Sequence, residues 1–324
     1  QCAVNPRTGF EHIYPENPSK AEHAKKIAVV GAGPAGVVLA VTAARRGHKV
    51  ELFEKSGKIG GKTIPGSVPK IKFDVENYRK HLEYMLSKAE KEYDLKIHLN
   101  TEVNLEKLRE GAYDSIVFAT GAAETIPPIS GLDKIKHVKA TDLLSDPGLL
   151  GDAKSVVVVG GGEVGCETAY WLSYERGCQV KVVEMLPFLM EGVCTANRGY
   201  LIHYLKKAGV ELINYAKVVS LDDEGVHIVR NVSKGVPDPY ITWQPVLPKN
   251  IENPLAPKIG NDEKEITLKA DLVVFATGGK PDDSLFYEAQ AGRIAPEIHN
   301  IGDSFAGGRI LEATRAAYAL GIKL

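Results

Sequence analysis

Lys26-Ile27-Ala28-Val29-Val30 runs straight into Gly31-Ala32-Gly33-Pro34-Ala35-Gly36, and these eleven residues decide the fold. The first five are apolar enough for a strand buried on both faces. An alanine-rich stretch, Val37–Arg46, follows as a predicted helix, then a second strand, Lys49–Phe53, that ends on Glu54. The same order returns 129 positions later. Ser155–Val159 leads into Gly160-Gly161-Gly162-Glu163-Val164-Gly165, a predicted helix Cys166–Glu175, and a strand Gln179–Val183 that ends on Glu184.

Each glycine of such a turn has a physical task. Gly31 permits the sharp turn, Gly33 lets the backbone approach a pyrophosphate, and Gly36 lets helix and strand pack closely. The helix N-terminus offers free N–H groups and a partial positive charge to phosphates. Glu54, 18 positions after Gly36, can accept hydrogen bonds from a ribose diol. Glycine turns also serve plain packing, but strand, spacing, helix and acid agree twice, which is the order of a Rossmann dinucleotide unit. A further repeat follows each unit. Tyr113–Phe118 runs into Ala119-Thr120-Gly121, and Asp271–Phe275 into Ala276-Thr277-Gly278. Glu297–Ile301 reads as a last strand, closing on Gly302-Asp303 before a predicted helix Arg309–Leu320, and it is expected to join a sheet already built. The expected architecture is α/β: two Rossmann-like domains, the second (125–278) inserted in the first (25–124 plus 279–324). Residues 1–24 are expected to be a linker or wrapping arm. A stretch at 232–264 carries six of the 18 prolines and no clear periodicity, and it is expected to cover the domain surface with Trp243 and Leu247.

Composition narrows the function classes. Of 324 residues, 44% are hydrophobic and 25% charged, the balance of an ordinary globular chain. Forty Lys and Arg against forty-one Asp and Glu leave a net charge of −1, which excludes the basic field of a general nucleic-acid binder. No apolar run reaches the ~20 residues of a membrane helix. The four cysteines, Cys2, Cys166, Cys178 and Cys194, form no CxxC pair, so a reducing, cytoplasmic setting is expected. His98, His203 and His227 lie in strand- or helix-like runs and read as structural. Lys62 and Arg315 read as surface charges that could approach a cofactor, and Glu167 as an acid on a helix's first turn.

Beyond the two turns, Gly60-Gly61 supplies a further glycine turn just after the acid strand, suited to a longer dinucleotide. Gly302-Asp303 places a carboxylate before a helix N-terminus. This set, with Glu54 and Ala119-Thr120-Gly121, resembles the two-dinucleotide-binding flavoproteins of the pyridine nucleotide-disulfide oxidoreductase superfamily over residues 25–324. The resemblance implies FAD at the first unit, held by Gly31, Gly33, Pro34, Ala35, Gly36, Glu54, Lys55, Gly60, Gly61, Lys62, Val103, Ala119, Thr120, Gly121, Gly302 and Asp303. It implies NAD at the second, held by Gly160, Gly162, Glu163, Val164, Gly165, Glu184 and Gly278, with NADH preferred over NADPH because no Lys or Arg follows Glu184 closely. The redox disulfide of that superfamily is missing from this sequence, so disulfide reduction is not expected.

Cys2-Ala3-Val4-Asn5-Pro6-Arg7-Thr8-Gly9-Phe10-Glu11 resembles the junction in 2,4-dienoyl-CoA reductases and 2-enoate reductases, relatives of old yellow enzyme and trimethylamine dehydrogenase. The resemblance implies that Cys2 is the last ligand of a [4Fe-4S] cluster in a full-length protein whose upstream (β/α)8 barrel carries FMN. It implies no metal site in this chain alone, since such a cluster takes four thiolates. On this basis the chain is expected to be the reductase part of a longer polypeptide, passing a hydride from NADH to FAD and electrons onward to an activated C=C bond of enoate or enoyl-CoA type. No protein acid or base is assigned to that step. The rival expectations are a freestanding NADH:acceptor reductase and, as in trimethylamine dehydrogenase relatives, a structural lobe holding ADP.

Overall fold

The computed structural model describes residues 2–243, 250, 251, 253, 254 and 256–324. In chain order the strands are β1 (Lys26–Val30), β2 (Lys49–Phe53), β3 (Leu95–His98), β4 (Ser115–Phe118), β5 (Ala122–Glu124), β6 (His137–Lys139), β7 (Ser155–Val159), β8 (Gln179–Val183), β9 (Glu211–Ile213), β10 (Ala216–Asp222), β11 (Gly225–Asn231), β12 (Glu263–Leu268), β13 (Leu272–Phe275), β14 (Gly279–Pro281) and β15 (Glu297–Asn300). They build two five-stranded parallel sheets, ordered β15-β4-β1-β2-β3 and β6-β13-β7-β8-β9. A three-stranded antiparallel sheet, β10-β11-β12, accompanies the second. β5 pairs with β14.

The chain divides into two compact units. One comprises residues 1–67, 72–123 and 279–324; the other comprises 68–71 and 124–278. One detail departs from the sequence-based boundaries. Residues 68–71 group with the second unit, where Val68 and Ile71 pack against its core. Residues 2–24 group with the first unit and are stitched to it. Thr314 Oγ1 donates to Ala3 O at 2.9 Å, Arg315 lies 4.8 Å from the Phe10 ring centroid, and Tyr318 Oη donates to Pro15 O. Arg315 is thus occupied in holding the arm.

In the first unit the helix Pro34–Arg45 is buried along most of its length and packs, with the helix Ile310–Gly321, over the β1-β2 region. Leu39, Leu52 and Leu82 are fully buried there, each contributing ~1.5–3 kcal/mol of transfer free energy. In the second unit the helix expected over Cys166–Glu175 begins earlier, at Glu163, and widens into a π-helix over Trp171–Glu175 that buries Trp171 under Arg176. Such widenings follow an inserted residue. Trp243 departs from expectation: it is 65% exposed, and Tyr240 is the residue seen packing on the domain, its hydroxyl accepting from Leu212 N and donating to Val210 O. Leu247 lies outside the described residues.

Candidate functional site

The two glycine turns are geometric copies. In the first unit Gly31 adopts φ +106°, and a Cβ there would lie 2.4 Å from Ala119 O; a Cβ on Gly36 would lie 1.8 Å from Gly31 O. In the second, Gly160 adopts φ +107° with Ala276 O at 2.4 Å, and Gly165 meets Gly160 O at 1.9 Å. Four positions therefore exclude any side chain, for reasons internal to the turns.

Gly33 and Gly162 differ from those four. Among the described residues nothing lies within 4 Å of a Cβ at Gly162, and at Gly33 only Gly61 Cα does, at 4.0 Å. Both residues are extended (φ −74° and −72°) and cap the helices beginning at Pro34 and Glu163, with no side chain capping the free N–H groups. Nothing in the chain's own packing requires glycine there. Open, uncapped helix N-termini beside a bare backbone are what a pyrophosphate needs.

The acids are equally matched. Glu54 Oε2 accepts from Ala32 N at 2.8 Å and Oε1 from Ser56 N at 2.8 Å. Glu184 Oε2 accepts from Gly161 N at 2.6 Å and Oε1 from Leu186 N at 2.8 Å. Each carboxylate is fixed beside its turn by two backbone donors and keeps further lone pairs for a ribose diol.

Most of the predicted first-unit residues converge on the first turn. Gly60 N donates to Ala32 O at 2.9 Å, and a Cβ on Gly61 would come within 3.1 Å of Gly33 Cα. A Cβ on Gly302 would touch that of Ala35 at 3.0 Å, and Asp303 pairs with Lys62 at 3.2 Å while accepting from Gly308 N. Thr120 Oγ1 donates to Asp282 O, and Gly121 O accepts from Asp282 N. Val103 is different: it is buried in the apolar cluster with Val30, Phe53 and Leu108, and Lys55 points to solvent. In the second unit Glu163 and Val164 form the helix's first turn, Val164 being 43% exposed, and Gly278 O accepts from Thr125 N.

The cysteines stand apart from one another in role. Burial pushes the Cys166 and Cys178 thiols up, and Cys166 Sγ donates to Gly161 O at 3.4 Å, so both are packing groups. Among the described residues no cluster of three His, Cys, Asp or Glu could hold a metal. No helix among them is long and apolar enough to cross a membrane.

Sequence reasoning passed over Gly161, whose missing side chain makes room for Glu184 and Leu189 (2.8 and 3.1 Å from its Cβ position). It also passed over Arg198 and Asn214, buried polar residues 14 and 30 positions beyond Glu184 whose partners only the fold brings near.

Comparison with known proteins agrees with this geometry. Residues 25–296 match the pyridine nucleotide-disulphide oxidoreductase family. The chain is 36% identical to a cinnamate reductase of Clostridium sporogenes over 238 residues, covering 72% of this chain and 34% of that protein. It is 29% identical to an NADH oxidase of Thermoanaerobacter brockii, covering 98% of this chain and 44% of that one. The structure of a 2-naphthoyl-CoA reductase complex superposes with a TM-score of 0.82 at 30% identity, over the whole of this chain and 43% of the other. The chain thus spans between a third and a half of the length of these relatives.

Proposed function

The chain belongs to the pyridine nucleotide-disulphide oxidoreductase family, and from that premise we propose that it is the NADH-oxidising FAD part of an enoate- or enoyl-CoA-type reductase. The observation that carries the proposal is the pair of open, uncapped helix starts at Gly33 and Gly162, each with a carboxylate fixed beside it. The first turn, Gly31–Gly36, takes the FAD pyrophosphate and Glu54 its ribose. Gly60 and Gly61 close over the turn, and the Lys62–Asp303 pair lies at the second glycine-acid element. The second turn takes the nicotinamide dinucleotide, with Glu184 on its adenosine ribose. Bound FAD supplies a two-electron acceptor for a hydride that can then release electrons singly.

This chain's residues bind, orient and select. Glu184 is nine-tenths buried, and Met185, Leu186, Pro187 and Phe188 follow it with no cation. A 2′-phosphate placed there meets a carboxylate, and none of the four residues after it is a cation, so NADH is favoured over NADPH by a few kcal/mol. An upstream FMN- and iron-sulfur-bearing barrel of the same polypeptide, with Cys2 as one cluster ligand, is the partner this reading gives the unit. It is supported by the share of the reductase relatives that lies beyond the aligned region.

The test is diaphorase activity. The chain should pass electrons from NADH to ferricyanide ~100-fold better than from NADPH at limiting nucleotide, and should leave an enoate or enoyl-CoA unreduced by itself. Faster turnover with NADPH refutes the assignment of Glu184, and alkene reduction by the chain alone refutes the need for the barrel.

A further inference from the structure

The loop after Glu184, residues 185–190, is held at five backbone polar atoms by groups outside it. Leu186 N donates to Glu184 Oε1, Leu186 O accepts from Tyr215 N at 3.0 Å, and Met190 N donates to Gly161 O at 2.8 Å. Two alternate carbonyls are taken by buried side chains from separate elements. Asn214 Nδ2 donates to Pro187 O at 2.7 Å, and Arg198 Nε donates to Leu189 O at 2.9 Å.

Both side chains are costly to bury. Asn214 is fully buried, and its amide is satisfied only by this network: Nδ2 also serves Pro237 O at 2.9 Å, and Oδ1 accepts from Arg230 Nη2 at 3.2 Å. Arg198 is 2% exposed, and its two terminal nitrogens find no hydrogen-bond partner among the described residues. A packing role alone is served better by an apolar residue of similar volume, because a buried polar network adds little net stability. Backbone strain accumulates at the same place. Met190 and Tyr215, which bond the loop at its two ends, are both left-handed without being glycine (φ +50° and +53°). Strained, over-determined backbone of this kind gathers where a site must be preorganised.

We propose that Asn214 and Arg198 are positioning residues for the adenosine end of the nicotinamide dinucleotide, holding loop 185–190 in its binding shape before the ligand arrives. The proposal rests on the reading of the second unit as the nicotinamide site. The loop's outer edge presents Met185 and Leu186, 66% and 44% exposed, beside the fixed carboxylate of Glu184, and that apolar edge is the surface an adenine covers. Through Pro237 O the same Asn214 amide ties the start of the proline-rich stretch to the loop. Pro237 is thereby a support of the site.

The experiment is equilibrium titration of the FAD-loaded chain with NADH, followed by steady-state ferricyanide reduction. Arg198→Met and Asn214→Ala are each expected to raise the NADH Kd and KM about tenfold. Bound FAD and the rate at saturating NADH should stay within twofold of wild type. Arg198→Lys keeps a donor and should stay within threefold of wild-type affinity. Should Asn214→Ala fail to fold, Asn214→Ser carries the same test with a rise of about threefold. Folded variants with unchanged NADH affinity, or with a lowered maximal rate at unchanged KM, overturn the proposal. A wild-type chain that binds no NADH overturns the reading of the second unit and this inference with it, whereas wild-type binding unmoved by the variants overturns the inference alone.

Discussion

Gly162→Ala should separate stability from binding. The residue sits at φ −72°, ψ −174°, a conformation open to alanine, and among the described residues its Cβ would meet no atom within 4 Å. The folded chain accommodates the methyl without strain, and the unfolded chain loses conformational freedom worth about 0.4–1 kcal/mol. Alanine is the poorer helix N-cap by a similar ~0.5–1 kcal/mol, so the two effects nearly cancel. In a domain of this size Tm should stay within ~4 °C of wild type. The same methyl stands on the backbone face a pyrophosphate must approach, where overpacking costs ~1–3 kcal/mol, or roughly 10–100-fold in NADH affinity. Thermal unfolding and NADH titration of one preparation read both quantities, and bound FAD should not change because the first turn is untouched. NADH affinity that survives Gly162→Ala would refute the assignment of this position to the ligand, and a Tm lowered by well over ~4 °C would refute the claim that the fold itself does not require glycine there.

Gly36→Ala and Gly165→Ala should behave oppositely: their Cβ atoms would lie 1.8 and 1.9 Å from carbonyl oxygens, so each should cost about 3 kcal/mol or more and lower Tm before any ligand is added. Gly33→Ala should lower FAD content while leaving the apo protein's Tm intact, measured by flavin absorbance after unfolding. His48 is buried with Nδ1 accepting from Lys25 N; burial, then Arg46 and Lys25, hold its pKa below the usual histidine value, against a smaller pull from Glu297. The unfolded chain therefore binds the proton first, so stability is complete above pH ~6.5 and is lost as pH falls below it. Urea unfolding at pH 8 and pH 5.5 should show that loss, and His48→Gln should shrink it. Tyr318→Phe removes the bond to Pro15 O and should cost ~1 kcal/mol, with faster protease cleavage within residues 2–24.

The parts of the fold legible in the sequence are those encoded by short-range order. Ser155–Val159, Gly160–Gly165 and Gln179–Val183 declare strand, turn and strand through adjacent residues, and the copy at residues 26–54 doubles the signal. The short pieces were not legible. Edge strands such as β6 and β9 have three residues each, and β10 and β11 alternate only on one face. At the site, the glycines and acids could be read because they fall in a repeated strand, turn, helix and strand order whose spacing itself carries the meaning. Asn214 and Arg198 could not, because their meaning comes from carbonyls at 187, 189 and 237 that only the packed domain brings together. Trp243 misled for the opposite reason: a large apolar side chain suggests burial, yet an exposed one breaks no physical rule.

The central claim is that one chain holds FAD at its first turn and accepts electrons from NADH at its second. Anaerobic titration of the purified, flavin-loaded chain with NADH tests it most directly, followed at ~450 nm and with the released nucleotide identified by chromatography. One FAD per chain and full bleaching by one equivalent of NADH are predicted. Release of ADP in place of FAD, or a flavin that NADH leaves oxidised, would contradict the account.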